Sequence, residues 1–322
     1  MMRLTRVEML RLRSRRLVRV VGVLVLLLIA VIVAVDGYQH SNSTGAAIEE
    51  YDEQRLAGYE QARAQFERDQ AAGQIPDDAV FPSREEVADE PRACFPDPAS
   101  ARTFECNPPK QPYVVAQQLP DFGRAVAVIC AIAAFLLGAS AAGAEWAAGT
   151  MQSLLFWEPR RVRVVLAKVL GLVAVISALV IAAEALFTGL AMLAGVLRGR
   201  TDALTGDVWT SHLLLVLRAI CIAAFASVLG FSIAFGTRVT AAAVGVGFIY
   251  FAVLEQLLIV WKLWLARYLI GPLLGGWLNY GFDDESGDGL TLSGQRAGIT
   301  LGVYAVVILI AATLWFRQRD VT

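Results

Sequence analysis

Three ionisable residues, Glu184, Arg218 and Glu255, sit inside stretches that are otherwise apolar. A charge near the middle of a bilayer costs at least ~2.5 kcal/mol, so such residues pair or line a wet path. Counting from the polar loops puts all three in the outer half of the membrane. Two readings stay open: an ion pair between Arg218 and one of the acids, or a polar patch lining a translocation path. Cys94 and Cys106 lie in a polar, proline-rich segment. A disulfide between them would restrain the unfolded segment by about 3 kcal/mol. Cys130 and Cys221 fall in apolar runs and read as inert core thiols. Other chemistry is poorly supplied. The only two histidines, His40 and His212, lie in different segments, too few for a histidine zinc site or a Ser-His-Asp triad. No G-x-S-x-G, H-E-x-x-H or C-x-x-C occurs, and no catalytic residue or metal site is assigned.

The elements that must hold these residues are membrane spans. The 322 residues are 57% hydrophobic, and their long apolar runs are those of an integral membrane protein. A net charge of −1 gives no bulk attraction to nucleic acid, and no basic run is interleaved with aromatics. At about 1.5 Å per residue, roughly 20 apolar residues cross the hydrocarbon core. Six stretches qualify: about 17–36, 124–143, 164–197, 212–236, 239–260 and 297–316. The third is too long for one upright span, and its first turns read as an extension into water. The predicted fold is all-α, with six transmembrane helices.

Seven arginines, at 3, 6, 11, 13, 15, 16 and 19, precede or open the first span against a single acid, Glu8. The positive-inside rule puts this end in the cytoplasm, and six spans return the C-terminus there. Arg160, Arg161, Arg163 and Lys168 between spans two and three, and Arg238 between spans four and five, fall on the same side. The expected location is a bacterial plasma membrane, multi-pass. Residues 1–16 space Met1, Leu4, Val7 and Leu10 among arginines as a basic amphipathic helix lying on the inner leaflet would. The segment 38–122 has 16 acids and 7 bases and falls outside the cell. Within it, Ile48, Tyr51, Leu56, Tyr59 and Phe66 form one stripe at helical period over 46–72. After span five, the apolar stretch 262–280 is broken by Gly271-Pro272 and Gly275-Gly276. It predicts short interfacial or re-entrant helices capping the outer mouth. Small residues in spans two and five permit close helix packing, either with another subunit or within one chain.

Between spans two and three the chain reads "EWAAGTMQSLLFWEPRRVRVVLAK". Gly149 breaks the helix, Thr150 can cap a short helix through "MQSLLFWE", and Pro159 ends it. Leu154, Leu155, Phe156 and Trp157 then stand as apolar knobs on a polar elbow, and they need a partner surface or lipid. The stretch resembles the type-two (ABC-2-type) ABC transporter permease family, in which E-x-x-x-G-T-x-x-x-L-L, P-x-x-R and a downstream Lys lie between spans two and three. Glu145, Gly149, Thr150, Leu154, Leu155, Pro159, Arg163 and Lys168 match position by position. The resemblance implies that the elbow, about 145–160, is a coupling helix docking on a separate cytoplasmic ATPase. It also implies a second permease subunit, identical or related, and export as the direction. ATP and Mg would sit on the ATPase, with no cofactor bound by this chain. Residues 292–295, "LSGQ", are close to the signature of ABC ATPases, but no G-x-x-x-x-G-K-[ST] accompanies them, and lysine occurs only at 110, 168 and 262. The large segment 38–122 departs from the short first loop of many members and leaves the substrate open. The reading to set against transport is a membrane sensor or scaffold whose external segment binds a ligand or an envelope partner.

Overall fold

A computed structural model describes residues 2–39, 45–74, 76, 81, 83, 113–150, 160–201, 204–279 and 294–318. Helix α1 spans Met2–Ser14 and α2 spans Arg16–Gln39. Helix α3 (Gly45–Ala71) is followed by strand β1 (Tyr113–Val114), α4 (Val115–Ala147) and α5 (Arg161–Arg198). Strand β2 (Gly199–Arg200), α6 (Gly206–Thr237), α7 (Thr240–Ile249), α8 (Glu255–Trp261), α9 (Ile270–Leu278) and α10 (Gly294–Gln318) complete the order. Among the described residues, six helices are long and apolar enough to cross a membrane: α2, α4, α5, α6, the α7–α8 pair and α10. At 38 residues, α5 is about 57 Å long. That is well beyond the ~30 Å of a hydrocarbon core, as its apolar run predicts.

The contacts divide the chain into two compact units. The first comprises Met1–Val33, Ala116–Met192 and Ala203–Thr322. In it α4, α5 and α6 bury half or more of their apolar windows, whereas α2, α7–α8 and α10 leave most of theirs exposed. Small residues set how closely the inner helices approach. A Cβ at Gly138 of α4 would run into the Ser227 carbonyl of α6, and one at Gly230 of α6 into the Phe135 carbonyl of α4. Ala127, Ala134 and Ala139 of α4 are fully buried in the same packing. These small residues of span two therefore pack within this chain. Span five keeps an exposed face, with Val246, Phe248, Val253 and Leu257 outward.

Because the obstacle at Gly138 is backbone, no side chain can swing away. Gly138→Val is expected to destabilise the protein by about 3 kcal/mol, read as a lowered thermal midpoint in detergent. Gly189, also within a helix, has open space where a Cβ would stand, with nothing within 4 Å. Gly189→Ala should therefore stabilise by about 0.5–1 kcal/mol and serves as the opposite-sign control.

The second unit comprises Ala34–Val115 and Leu193–Asp202. Its helix α3 follows the predicted stripe: Tyr59 is buried, and Phe81 packs on Tyr59 and Phe66 with ring centroids at 5.5 and 5.3 Å. The side chains of Ile48, Tyr51 and Leu56 lie outside the described residues. A two-residue parallel pairing, Tyr113 with Gly199 and Val114 with Arg200, joins the two segments of the unit. Sequence periodicity does not announce so short a pairing. At Gly195 a Cβ would strike the Val115 side chain, so glycine there lets the two segments close. Burial pushes the Tyr113 hydroxyl up to about 12, which keeps it a neutral phenol.

Candidate functional site

Three helices meet in a buried charge cluster. Glu8 and Arg11 of α1, and Arg15 just past its end, recur at three- and four-residue spacing and so share a face. Glu145 stands in the last turn of α4, and Lys168 lies about two turns into α5. Lys168 Nζ lies 2.7 Å from Glu145 Oε2 and 3.0 Å from Glu8 Oε1. Arg15 donates to Glu145 Oε1 at 3.0 Å, and Arg11 stands 3.9 Å from the same oxygen. Glu8, Glu145 and Lys168 are each 4% exposed. Two carboxylates therefore share one ammonium, and Arg15 brings the buried group to neutrality. Gly171 permits the crossing of α1 over α5, because a Cβ there would stand only 3.2 Å from Glu8 Cβ.

The turn between α6 and α7 joins the same end of the bundle. Arg238 ends α6 in the left-handed region (φ 64°), and its N–H donates to the Ala234 carbonyl. Its guanidinium lies 4.5 Å over the Trp146 ring, a cation–π contact. Helix α1, the elbow and the α6–α7 turn thus share one end, as an even number of hairpin-connected spans requires.

Within the elbow, Gly149 has φ +64° and its N–H donates to the Trp146 carbonyl, which closes α4 in the left-handed manner glycine favours. The Thr150 hydroxyl donates back to the Glu145 carbonyl at 3.4 Å. Arg160 accepts the first backbone bonds of α5, from Arg163 and Val164, and Arg163 is half-buried in that first turn. Leu154, Leu155, Phe156 and Pro159 lie outside the described residues, as do Cys94 and Cys106. Of the motif residues, the structure brings Glu145 and Lys168 into direct contact. It adds Glu8 and Arg15, which sequence reasoning passed over. A lone acid among seven arginines was the available signal.

The three intramembrane charges are not gathered in one place. Glu255 accepts from the Gly271 N–H at 2.7 Å, and the Tyr250 hydroxyl accepts from Ile270 N–H at 3.2 Å. The start of α9 leaves four N–H positions to satisfy. Ile270 and Gly271 are satisfied by span five, Pro272 has no N–H, and Leu273 donates to the Leu269 carbonyl. The negative carboxylate also sits at the positive end of the short helix. A π turn, Tyr250–Leu254, immediately precedes Glu255 and bends the register of span five at this point. A Cβ at Gly271 would lie 2.6 Å from Glu255 Oε1, so a larger residue there would have to displace the carboxylate from the amide it accepts from. The partner of Glu255 is thus a backbone amide, and the expected ion pair of Arg218 with one of the acids is absent among the described residues. Arg218 is buried in α6. Glu184 is 2% exposed, and neither carboxylate oxygen has a hydrogen-bond partner among the described residues.

The helices expected over 262–280 are present as a 3₁₀ turn, Leu263–Tyr268, and α9. Leu273 of α9 packs with Phe225 of α6 and Ala297 and Leu301 of α10, so the short helix is wedged against two spans. Cys130 is buried, but Cys221 is exposed on α6, which corrects its reading as a core thiol. Among the described residues, no three His, Cys, Asp or Glu side chains converge as a metal site.

No curated protein matches the chain. A family model described as ABC-2 family transporter protein matches residues 5–321. That range takes in all six spans, the elbow and the charged junction beneath it; the chain belongs to this family and is a membrane permease subunit of an ABC transporter.

Proposed function

We propose that the chain is the permease of an exporter, and that the elbow at about 145–160 is its coupling helix. In this reading a separate cytoplasmic ATPase, carrying ATP and Mg, closes on nucleotide and pushes the elbow. A second permease subunit, identical or related, completes the path, and the exposed face of span five is where it would seat. Both termini lie in the cytoplasm of a bacterial cell. Residues 38–122 lie outside, where a Cys94–Cys106 disulfide would form. Glu184, Arg218 and Glu255 contribute polar groups along the path.

The observation that supports the reading is the buried junction. Lys168 ties Glu145 at the end of α4 to Glu8 of α1 from its own place on α5. A displacement of the elbow would therefore move three helices together instead of being absorbed in a loose loop. Leu155→Asp or Phe156→Asp tests it directly. Either should lower transport-linked ATPase activity of the assembled complex by about tenfold or more, the effect of a charge at the centre of a docking surface. The amount of permease in the membrane should not change. Full ATPase coupling in both variants would refute the docking role.

A further inference from the structure

Helix α1 has two faces, and the bundle covers one of them. Glu8 and Leu12 are buried, with Thr5, Met9, Arg11 and Arg15 half-buried beside them. This face crosses α5 at Gly171, where an added Cβ would stand 3.5 Å from the Thr5 carbonyl and the Met9 amide. Arg6, Val7, Leu10, Arg13 and Ser14 recur on the other side at three- and four-residue spacing. All five are exposed, Val7 by 59% and Leu10 by 61%. The arrangement is the reverse of a water-facing helix, which turns its acids out and its aliphatic residues in. Here the acid turns inward to meet Lys168, and two aliphatic side chains are left outside.

Charge on the outer face has one sign. Glu8 is the only acid among residues 1–35, and it is spent in the junction. Arg6 and Arg13, with Arg16 at the start of α2, are exposed and make no ion pair among the described residues. Arginines beside exposed Val7 and Leu10 suit the boundary between head groups and acyl chains. There the apolar side chains enter hydrocarbon while the guanidinium groups reach phosphate. The chain runs on into the same medium: Leu17 and Val20 are exposed at the start of α2, a span that leaves most of its apolar window uncovered. A net-neutral head group would leave the arginines uncompensated. An anionic one is favoured by about fivefold for each basic side chain at the surface.

We propose that the outer face of α1 binds anionic membrane lipid, and that lipid held there steadies the Glu8–Lys168–Glu145 junction. Glu8 lies within one turn of both Arg6 and Leu10, so whatever fixes the outer face of α1 also fixes one member of the buried ion group. The site belongs to the permease chain by itself, and its failure would leave the transport reading untouched.

Hydrogen exchange read by mass spectrometry, on the full chain in nanodiscs, tests it. Discs of equal parts phosphatidylcholine and phosphatidylglycerol should slow exchange of the α1 amides by about tenfold or more relative to phosphatidylcholine alone. The last turn of α4 should slow with them. Arg6→Gln combined with Arg13→Gln, both surface changes, should shrink the difference between the discs to about twofold. Arg6→Lys with Arg13→Lys should keep it, because the attraction counts charge and not fork geometry. Equal exchange in the two discs would overturn the proposal and leave the face to neutral lipid or to an acidic protein surface. So would an undiminished lipid response in the glutamine variant, or equal slowing by inorganic phosphate added to phosphatidylcholine discs. Slowing confined to α1 would overturn the hold on the junction.

Discussion

Lys168→Met should cost about 3–5 kcal/mol of stability, the largest loss expected from any single change at the charged junction. The substitution keeps the length and apolar stem of the side chain and removes only the ammonium. Glu8 and Glu145 would then face one another in a space where each is 4% exposed, and Arg15, bonded to Glu145 alone among the two acids, cannot serve both. Removing one member of a buried ion group leaves an uncompensated charge, which is far costlier than replacing the group as a whole. The double substitution Lys168→Met with Glu8→Leu should accordingly recover most of the loss, because it leaves Glu145 paired with Arg15. Thermal unfolding of the purified permease in detergent or nanodiscs measures both. A single variant as stable as the parent would show that the junction is open to water. A double variant no better than the single would show that Glu8 is not the acid left stranded.

The second large effect has the opposite sign. Glu184→Met is expected to stabilise the protein by about 1–3 kcal/mol, because the buried carboxylate has no hydrogen-bond partner among the described residues. A polar group held dry and unbonded is a standing cost, and methionine fills similar volume without it. Transport measured on the same variant separates two roles. A more stable permease that no longer transports would place Glu184 on the path, where a partner arrives with the substrate or with the change of state. A less stable permease would contradict the expectation and mean that the carboxylate is already paired in the working complex. Glu255 makes the contrast, since it is bonded to the Gly271 amide and its removal should destabilise α9.

Much of this architecture is carried by local sequence. Span positions follow from the lengths of apolar runs, because the bilayer enforces a minimum and leaves little choice of structure within it. The runs at 17–36 and 297–316 correspond to helices Arg16–Gln39 and Gly294–Gln318. The motif around Gly149 was also legible, since a left-handed turn after a helix favours glycine. The pairing of charges was not. Lys168 and Glu8 are 160 residues apart and Arg15 and Glu145 are 130 apart, and nothing local selects Arg15 from the other arginines of its segment. Glu255 was still harder to read, because its partner is a backbone amide exposed only by the way Ile270–Leu278 begins. Backbone donors have no letter in the sequence.

The amino-acid sequence alone thus determined that this is a six-span membrane protein with a polar elbow between spans two and three. Those properties depend on hydropathy, chain length and residue types within one or two turns. Tertiary structure alone decided which charges are neutralised, by which groups, and which small residues serve packing within the chain. Ion pairs and hydrogen bonds act over about 3 Å, so they depend on how helices cross. Crossing is set by contacts such as Gly138 on Ser227 and Gly171 on Glu8, made between residues far apart in the chain.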